Sequence, residues 1–304
     1  MNDILKIRNL NKSFGRKKVL ENFTMTLEKG KVYGLLGKNG VGKTTLIKII
    51  MGIIPQEKGE IYYKNKKISY SKTRYKREIG YIPEDPFYFS WMKIEELLSL
   101  NRSFYPKWNK KRSDEYLNRF SLDRKKKIKH LSRGMKLKLG LVIALASEPE
   151  FLILDDPTSG LDVPTRQDFL RDIIGELSEA ETTILFSTHL VHEIEGIIDH
   201  LSIIQKGSLI LDEDYSQLKK AIKRVRMTFE TSPPEKIPIE GILTGQSNGN
   251  QQEIVIYPWN EKKESKLEAL KPLHMEIEAL TLEEIFVSFV SENPQAIRSE
   301  NLES

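Results

Sequence analysis

Residues 3–30 alternate between apolar and polar side chains. Ile4, Leu5 and Ile7 stand among Lys6 and Arg8, and Thr24-Met25-Thr26-Leu27 has a strict period of two, so the stretch reads as edge-sheet material. Between them, Asn11-Lys12-Ser13-Phe14-Gly15 reads as a loop carrying an aromatic. Residues 31–36 read as a short buried strand, 45–50 as a helix, 55–59 as a loop, and 60–63 and 79–83 as further strands. From Phe87 the pattern turns helical. Residues 94–100 have helical spacing, Leu117 and Phe120 mark a second helix with Asp114 and Glu115 in its first turns, and Leu139, Val142, Ile143 and Ala146 mark a third that stops before Pro149. The continuous apolar run Phe151-Leu152-Ile153-Leu154 is the pattern of a central parallel strand, covered on both faces. Asp162 and Pro164 open a helix running through Phe169, Ile173, Ile174 and Leu177. Thr183-Ile184-Leu185-Phe186-Ser187 is the next strand, and 201–211 is a hairpin turning at Lys206-Gly207.

Beyond residue 217 the pattern weakens. Strands at 224–230 and 253–257 are separated by loops holding Pro233, Pro234, Gly241, Gly245 and Gly249, and 267–270 and 280–290 read as helical. The expected organisation is an α/β domain over 1–216, interrupted by a helical insertion over 87–148, then a small α+β appendage over 217–292 and a flexible polar tail over 293–304. No internal repeat is visible.

Composition narrows the class. A chain of 304 residues has room for one large domain and a smaller one. Without cysteine it has neither a disulfide framework nor a thiolate metal site. The first residues lack the apolar run of a signal peptide, and no stretch approaches the ~18 consecutive apolar residues of a membrane span. Any work at a membrane therefore needs a spanning partner. A formal charge of +5 does not call for nucleic acid.

The chemistry is concentrated at Gly37-Lys38-Asn39-Gly40-Val41-Gly42-Lys43-Thr44-Thr45, which fits the phosphate-loop pattern of Gly, four free positions, Gly, Lys and Ser/Thr, set between a strand and a helix. Glycines let successive backbone N–H groups turn toward phosphate oxygens, and the helix N-terminus adds donors and partial positive charge. Lys43 reaches outer phosphates, and the Thr44 hydroxyl suits Mg²⁺. Asp155 and Asp156 end a parallel strand, at the sheet edge where ligands collect in open α/β folds. His189 ends the next one. Phe87, Tyr88, Phe89 and Trp91 read as core packing or as a docking face for another protein's helix. The basic run Arg124, Lys125, Lys126, Lys127, Lys129, Arg133, Lys136 and Lys138 reads as a solvated face or as a seat for phosphate or an anionic surface.

Together these motifs resemble the nucleotide-binding subunit of ABC transporters, over residues 3 to about 215. Gly37 to Thr44 matches the family's Walker A loop and residues 152–155 its Walker B. Leu131-Ser132-Arg133-Gly134-Met135 is similar to its signature, Pro157-Thr158-Ser159-Gly160-Leu161-Asp162 to its D-loop, and His189 to its switch histidine. Phe14 falls at its adenine-stacking aromatic and Glu84 at its γ-phosphate sensor. The resemblance implies a P-loop NTPase fold and a dimer, homomeric or shared with a sister subunit, sandwiching two ATP between one subunit's Walker A and the other's signature. It implies Mg²⁺ held by Thr44, Asp155 and Glu84, with Asp156, His189, Lys43 and Glu84 carrying catalysis. It also implies membrane-spanning permease partners docked around residues 84–91 and the insertion, at the cytoplasmic face of the membrane. The chain looks most like bacterial exporter ATPases of the bacitracin-resistance type.

Three departures bear on activity. Asp156 stands where the family has a glutamate, and its side chain is shorter by roughly 1.5 Å. A misplacement of about 1 Å costs on the order of 10²-fold in rate, so hydrolysis is expected to be slow. Glu84 replaces a glutamine, and Arg133 and Met135 replace a glycine and a glutamine in the signature. The competing readings are a soluble ABC-type ATPase acting on ribosomes or DNA, and a simple P-loop kinase or GTPase. The first is disfavoured by a single cassette without a heptad run, the second by the presence of signature and D-loop.

Overall fold

A computed structural model of the chain describes residues 2–177 and 182–291. Contacts divide it into two units, the second beginning at Glu213. The first opens with the hairpin β1 (Asp3–Phe14) and β2 (Lys17–Glu28). Its alternation buries Leu5, Ile7, Phe23, Met25 and Leu27 on one face. β3 (Val32–Leu36) is buried throughout and runs through the glycine loop into α1 (Lys43–Ile50). Then come β4 (Lys58–Tyr63), β5 (Lys66–Ile68), β6 (Ile79–Ile82), α2 (Ile94–Arg102), α3 (Lys110–Arg119), α4 (Arg133–Ala146), β7 (Phe151–Asp155), α5 (Val163–Leu177), β8 (Thr183–Thr188), β9 (His200–Gln205) and β10 (Ser208–Asp214).

Two sheets result. One has the order β2-β1-β4-β5 with antiparallel pairs, and the other β10-β9-β3-β8-β7-β6. In the second, β9, β3, β8, β7 and β6 run parallel. Register aligns their ends: Leu36 lies level with Thr188, and Asp155 level with Ser187. The glycine loop, the Asp155-Asp156 pair and His189 therefore leave the sheet at one edge. The second unit contains α6 (Tyr215–Ala221), β11 (Lys223–Thr228), β12 (Ile242–Asn248), β13 (Gln251–Ile256), α7 (Glu261–Glu268), β14 (His274–Glu278) and α8 (Leu282–Val290). Its sheet has the order β12-β13-β11-β14, around Val225, Met227, Ile254, Ile256 and Leu267. This is the α/β fold of P-loop NTPases, with an antiparallel N-terminal part, a helical insertion and an α+β appendage.

Several local expectations need correction. Asn11 to Phe14 belong to β1 rather than to a loop, because the turn is confined to Gly15 and Arg16 and Phe14 pairs with Lys17. Asp114 and Glu115 sit in the second turn of α3 and not in its first, and the start of the helix is capped by Asn109 accepting from the Arg112 N–H at 3.0 Å. The strands β5, β12 and β14 and the short α6 carry no strong apolar period. β12 contains Gly245 and is half exposed at a sheet edge. Core packing holds in part for Tyr88, which is half-buried with its hydroxyl against Gly140 of α4, where burial pushes its pKa up. It does not hold for Phe87, Phe89 and Trp91, which are 87%, 47% and 65% exposed. The side chains of Ile174 and Leu177 and the tail at 293–304 lie outside the described residues. Among those residues no helix is long and apolar enough to cross a membrane.

Candidate active site

α1 begins at Lys43 behind Gly42, which adopts φ +121° and offers no side-chain cap. The N–H groups of the first turn are thus left to a ligand rather than to a neighbouring side chain. A Cβ at Gly42 would come within 2.8 Å of the Val19 carbonyl, so close packing of β2 against the loop also demands glycine. Lys38, Asn39 and Gly40 form the exposed rim, while Val41 packs on the core. The Lys43 side chain lies under the loop and its ammonium donates to the carbonyls of Gly37 at 2.6 Å and Lys38 at 3.4 Å. Burial holds its pKa below the ordinary lysine value, against the pull of the Asp156, Asp155 and Glu84 carboxylates.

Those acids converge from the ends of two strands, β7 and β6. Asp155 closes β7 fully buried, and its Oδ1 accepts from the Thr44 hydroxyl at 3.1 Å and the Ser187 hydroxyl at 3.2 Å. Burial raises its pKa, the two hydrogen bonds oppose the rise, and the Glu84 and Asp156 charges add to it. Asp156 turns the chain with φ +46°, a left-handed conformation that Asp tolerates better than most residues. Its N–H donates to the Ser187 carbonyl at 2.8 Å. Its Oδ2 lies 2.6 Å from His189 Nδ1. An ionised carboxylate only accepts, so Nδ1 carries the proton of this contact and Nε2 is left for a ligand. The Asp156 Oδ1 is buried with no hydrogen-bond partner among the described residues. Glu84, exposed after β6, accepts from the Ser159 hydroxyl at 3.3 Å.

A mouth of about 290 Å³ joins these groups, lined by Asn39, Gly40 and Gly42 to Thr45 on one side and by Glu84, Asp156, Ser159 and His189 on the other. Its buried ammonium, helix N-terminus and carboxylates suit a polyphosphate with a divalent cation, and the orphaned Asp156 Oδ1 suits a bound water.

Two sets of expected residues lie elsewhere. Phe14 stands 53% exposed at the end of the hairpin, with the Lys12 ammonium 5.2 Å from its ring centre, and does not line the mouth. None of residues 131–135 lines it either. Leu131 is buried, and Ser132 caps α4 by accepting from the Met135 N–H at 3.2 Å. Gly134 lies against Thr165, and Arg133 reaches back toward its own chain, donating to the Glu84 carbonyl at 3.4 Å. Sequence reasoning missed Ser159 and Ser187 as partners of the two acids. Ser187 is identified only by the pairing of β7 with β8, and Ser159 only by the turn after Asp156.

The sequence profile of the family described as ABC transporter matches residues 20–159. Among curated relatives, the ABC transporter ATP-binding protein YtrB of Bacillus subtilis is 32% identical over 286 residues, covering 94% of this chain and 97% of the relative. The bacitracin transport ATP-binding protein BcrA of Bacillus licheniformis is 34% identical over 238 residues, 78% of each chain. A solved ATP-binding subunit of an ABC transporter superposes with a TM-score of 0.64 at 27% identity, over 71% of this chain and 92% of that one. These relatives do not favour a ribosome- or DNA-acting ATPase. The chain belongs to the ABC transporter family, as an ATP-binding subunit whose activity is ATP hydrolysis.

Proposed function

We propose that this chain drives a separate membrane-spanning permease, an exporter, from the cytoplasmic face of the membrane, as one half of a face-to-face dimer closed on two Mg²⁺-bound ATP. Transport partners are supported by relatives named for bacitracin and lantibiotic transport. The docking site is Glu84 to Trp91 with the helical insertion, where Phe87, Phe89 and Trp91 stand exposed side by side.

In this reading the loop N–H groups of residues 38–44 and the Lys43 ammonium hold the phosphates, and Phe14 stacks on the adenine. Thr44, Asp155 and Glu84 are the residues that would hold Mg²⁺, which shields phosphate charge when bound. Asp156 takes a proton from the attacking water, which its unpartnered Oδ1 is free to bind, and His189 orients Asp156 through Nδ1 while Nε2 faces the γ-phosphate. Leu131 to Met135 serve the partner's nucleotide: the α4 N-terminus at Ser132 to Gly134 supplies hydroxyl, N–H and dipole.

The observation that carries the proposal is the separation of the two halves of the chemistry. Asp156, Glu84, His189 and Lys43 share one mouth, with Asp155 buried behind Thr44, and the signature has no place on it. The test is Asp156→Asn with ATP and Mg²⁺. Hydrolysis is expected to fall on the order of 10²–10⁴-fold, with light scattering showing a dimer that wild type forms only transiently. A variant that stays monomeric with ATP bound overturns the dimer reading.

A further inference from the structure

The helical insertion carries a charge that the rest of the chain does not share. Between residues 87 and 148 there are fifteen Lys and Arg against six Asp and Glu, a local net of +9 in a chain whose total is +5. Part of that charge is arranged by backbone pairing. Residues 90–95 and 124–129 run antiparallel: Ile128 N–H donates to Met92 O at 2.9 Å, Ile94 N–H to Lys126 O at 3.1 Å, Lys129 N–H to Ser90 O at 3.1 Å and Glu95 N–H to Arg124 O at 3.0 Å. Lys93 and Lys127 are bridge partners, which sets Trp91 opposite Lys129. Met92, Ile94 and Ile128 are buried, so the alternate residues Trp91, Lys93, Lys127 and Lys129 share the other face. Two lysines directly opposed on one face are mutually destabilising. Lys93 has Glu95 at 3.4 Å, whereas Lys125, Lys127 and Lys129 are exposed and have no ion-pair partner among the described residues.

We propose that this outward face, Lys127 and Lys129 with Trp91 at its edge, together with Lys125 exposed in the adjoining turn, rests on anionic phospholipid headgroups. The chemistry fits a diffuse anionic surface rather than a shaped protein epitope. The charges are flexible, strongly hydrated ammonium groups instead of guanidinium forks set for bidentate pairing. The flanking aromatic is the amphipathic ring that settles at headgroup depth. Each lysine near such a surface is worth ~1 kcal/mol, about fivefold in partitioning. This contact goes beyond permease docking and does not depend on it: the aromatic row turns toward the permease at Phe87 and Phe89, and the lysine row toward lipid, with Trp91 at the boundary.

The test is co-sedimentation of the full chain, without permease, with vesicles of phosphatidylcholine alone or mixed with phosphatidylglycerol at physiological salt. Binding is expected only with phosphatidylglycerol, and to fall on the order of 100-fold when Lys125, Lys127 and Lys129 are all changed to Gln. Quenching of protein fluorescence by brominated phosphatidylglycerol should fall in Trp91→Phe. Because the glutamine variant can lose solubility, the Lys→Arg triple variant serves as the charge control and should bind like wild type. Equal binding to both vesicle types, an unaffected glutamine variant, or a failing arginine variant that still melts like wild type overturns the proposal. So does release by millimolar inorganic phosphate, which would mark a free-anion site. No binding to either vesicle type overturns it too, and leaves the proposed function standing.

Discussion

Asp155 sits where the chemistry and the stability of the protein pull in opposite directions. Its carboxyl is buried beside Asp156 and Glu84, and its pKa lies above the usual carboxylate value. Folding therefore favours the protonated acid. That advantage is complete below the unfolded pKa and is lost as pH rises through the higher folded one, so at neutral pH the ionised group opposes folding. Asp155→Asn keeps an oxygen for the Thr44 and Ser187 hydroxyls and removes the charge. It should raise the melting temperature of the nucleotide-free protein at pH 7 by roughly 2–4 °C, about 1 kcal/mol, and the gain should vanish on acidification to about pH 4, near the unfolded value. The same variant should weaken Mg²⁺-dependent ATP binding. Thermal melts across pH beside nucleotide titrations check both, and a variant that melts lower than wild type at pH 7 refutes the argument. Asp155 and Asp156 were legible as acids at a strand end. The pairing of Asp156 with His189 and the empty Oδ1 were not, because they depend on a left-handed turn at residue 156 and on the alignment of β7 with β8.

At the scale of elements, the start of α4 combines a helix cap with the proposed contact to the partner's nucleotide. Ser132 caps the helix through its hydroxyl, and loss of such a cap costs about 1 kcal/mol. Aspartate caps as well as serine but brings a negative charge to the place proposed to face the partner's γ-phosphate. Ser132→Asp should therefore melt like wild type while ATP-driven dimerisation and hydrolysis are lost. Ser132→Ala should lower stability by about 1 kcal/mol and reduce hydrolysis less. If Ser132→Asp hydrolyses ATP normally, the signature does not meet nucleotide. The helix itself was legible from Leu139, Val142, Ile143 and Ala146. Arg133 folding back to the Glu84 carbonyl was not, since it joins residues far apart in the chain.

Over the whole molecule, the division of labour between the two units can be tested. Every group around the mouth belongs to the first unit, and the second has its own core around Val225, Ile254 and Leu267. Units with separate cores fold as separate units. A chain ended after Asp214 should fold and bind ATP with an affinity little changed, measured with a fluorescent nucleotide analogue. Loss of binding would show that the second unit supports the first. Parts of that second unit escaped sequence reading for a physical reason. β12 and β14 are partly exposed strands on either side of the sheet, and neither carries the apolar run that betrays a buried one.

The sequence by itself determined the phosphate loop, the strand-end acids, the signature and hence the family, because each is a local pattern whose chemistry depends on spacing along the chain. Only the tertiary structure decided which of these groups share a mouth, that Phe87, Phe89 and Trp91 face outward, and that Trp91, Lys127 and Lys129 lie on one surface. Those facts rest on register and burial, which arise between segments distant in the chain and leave no trace in either segment alone.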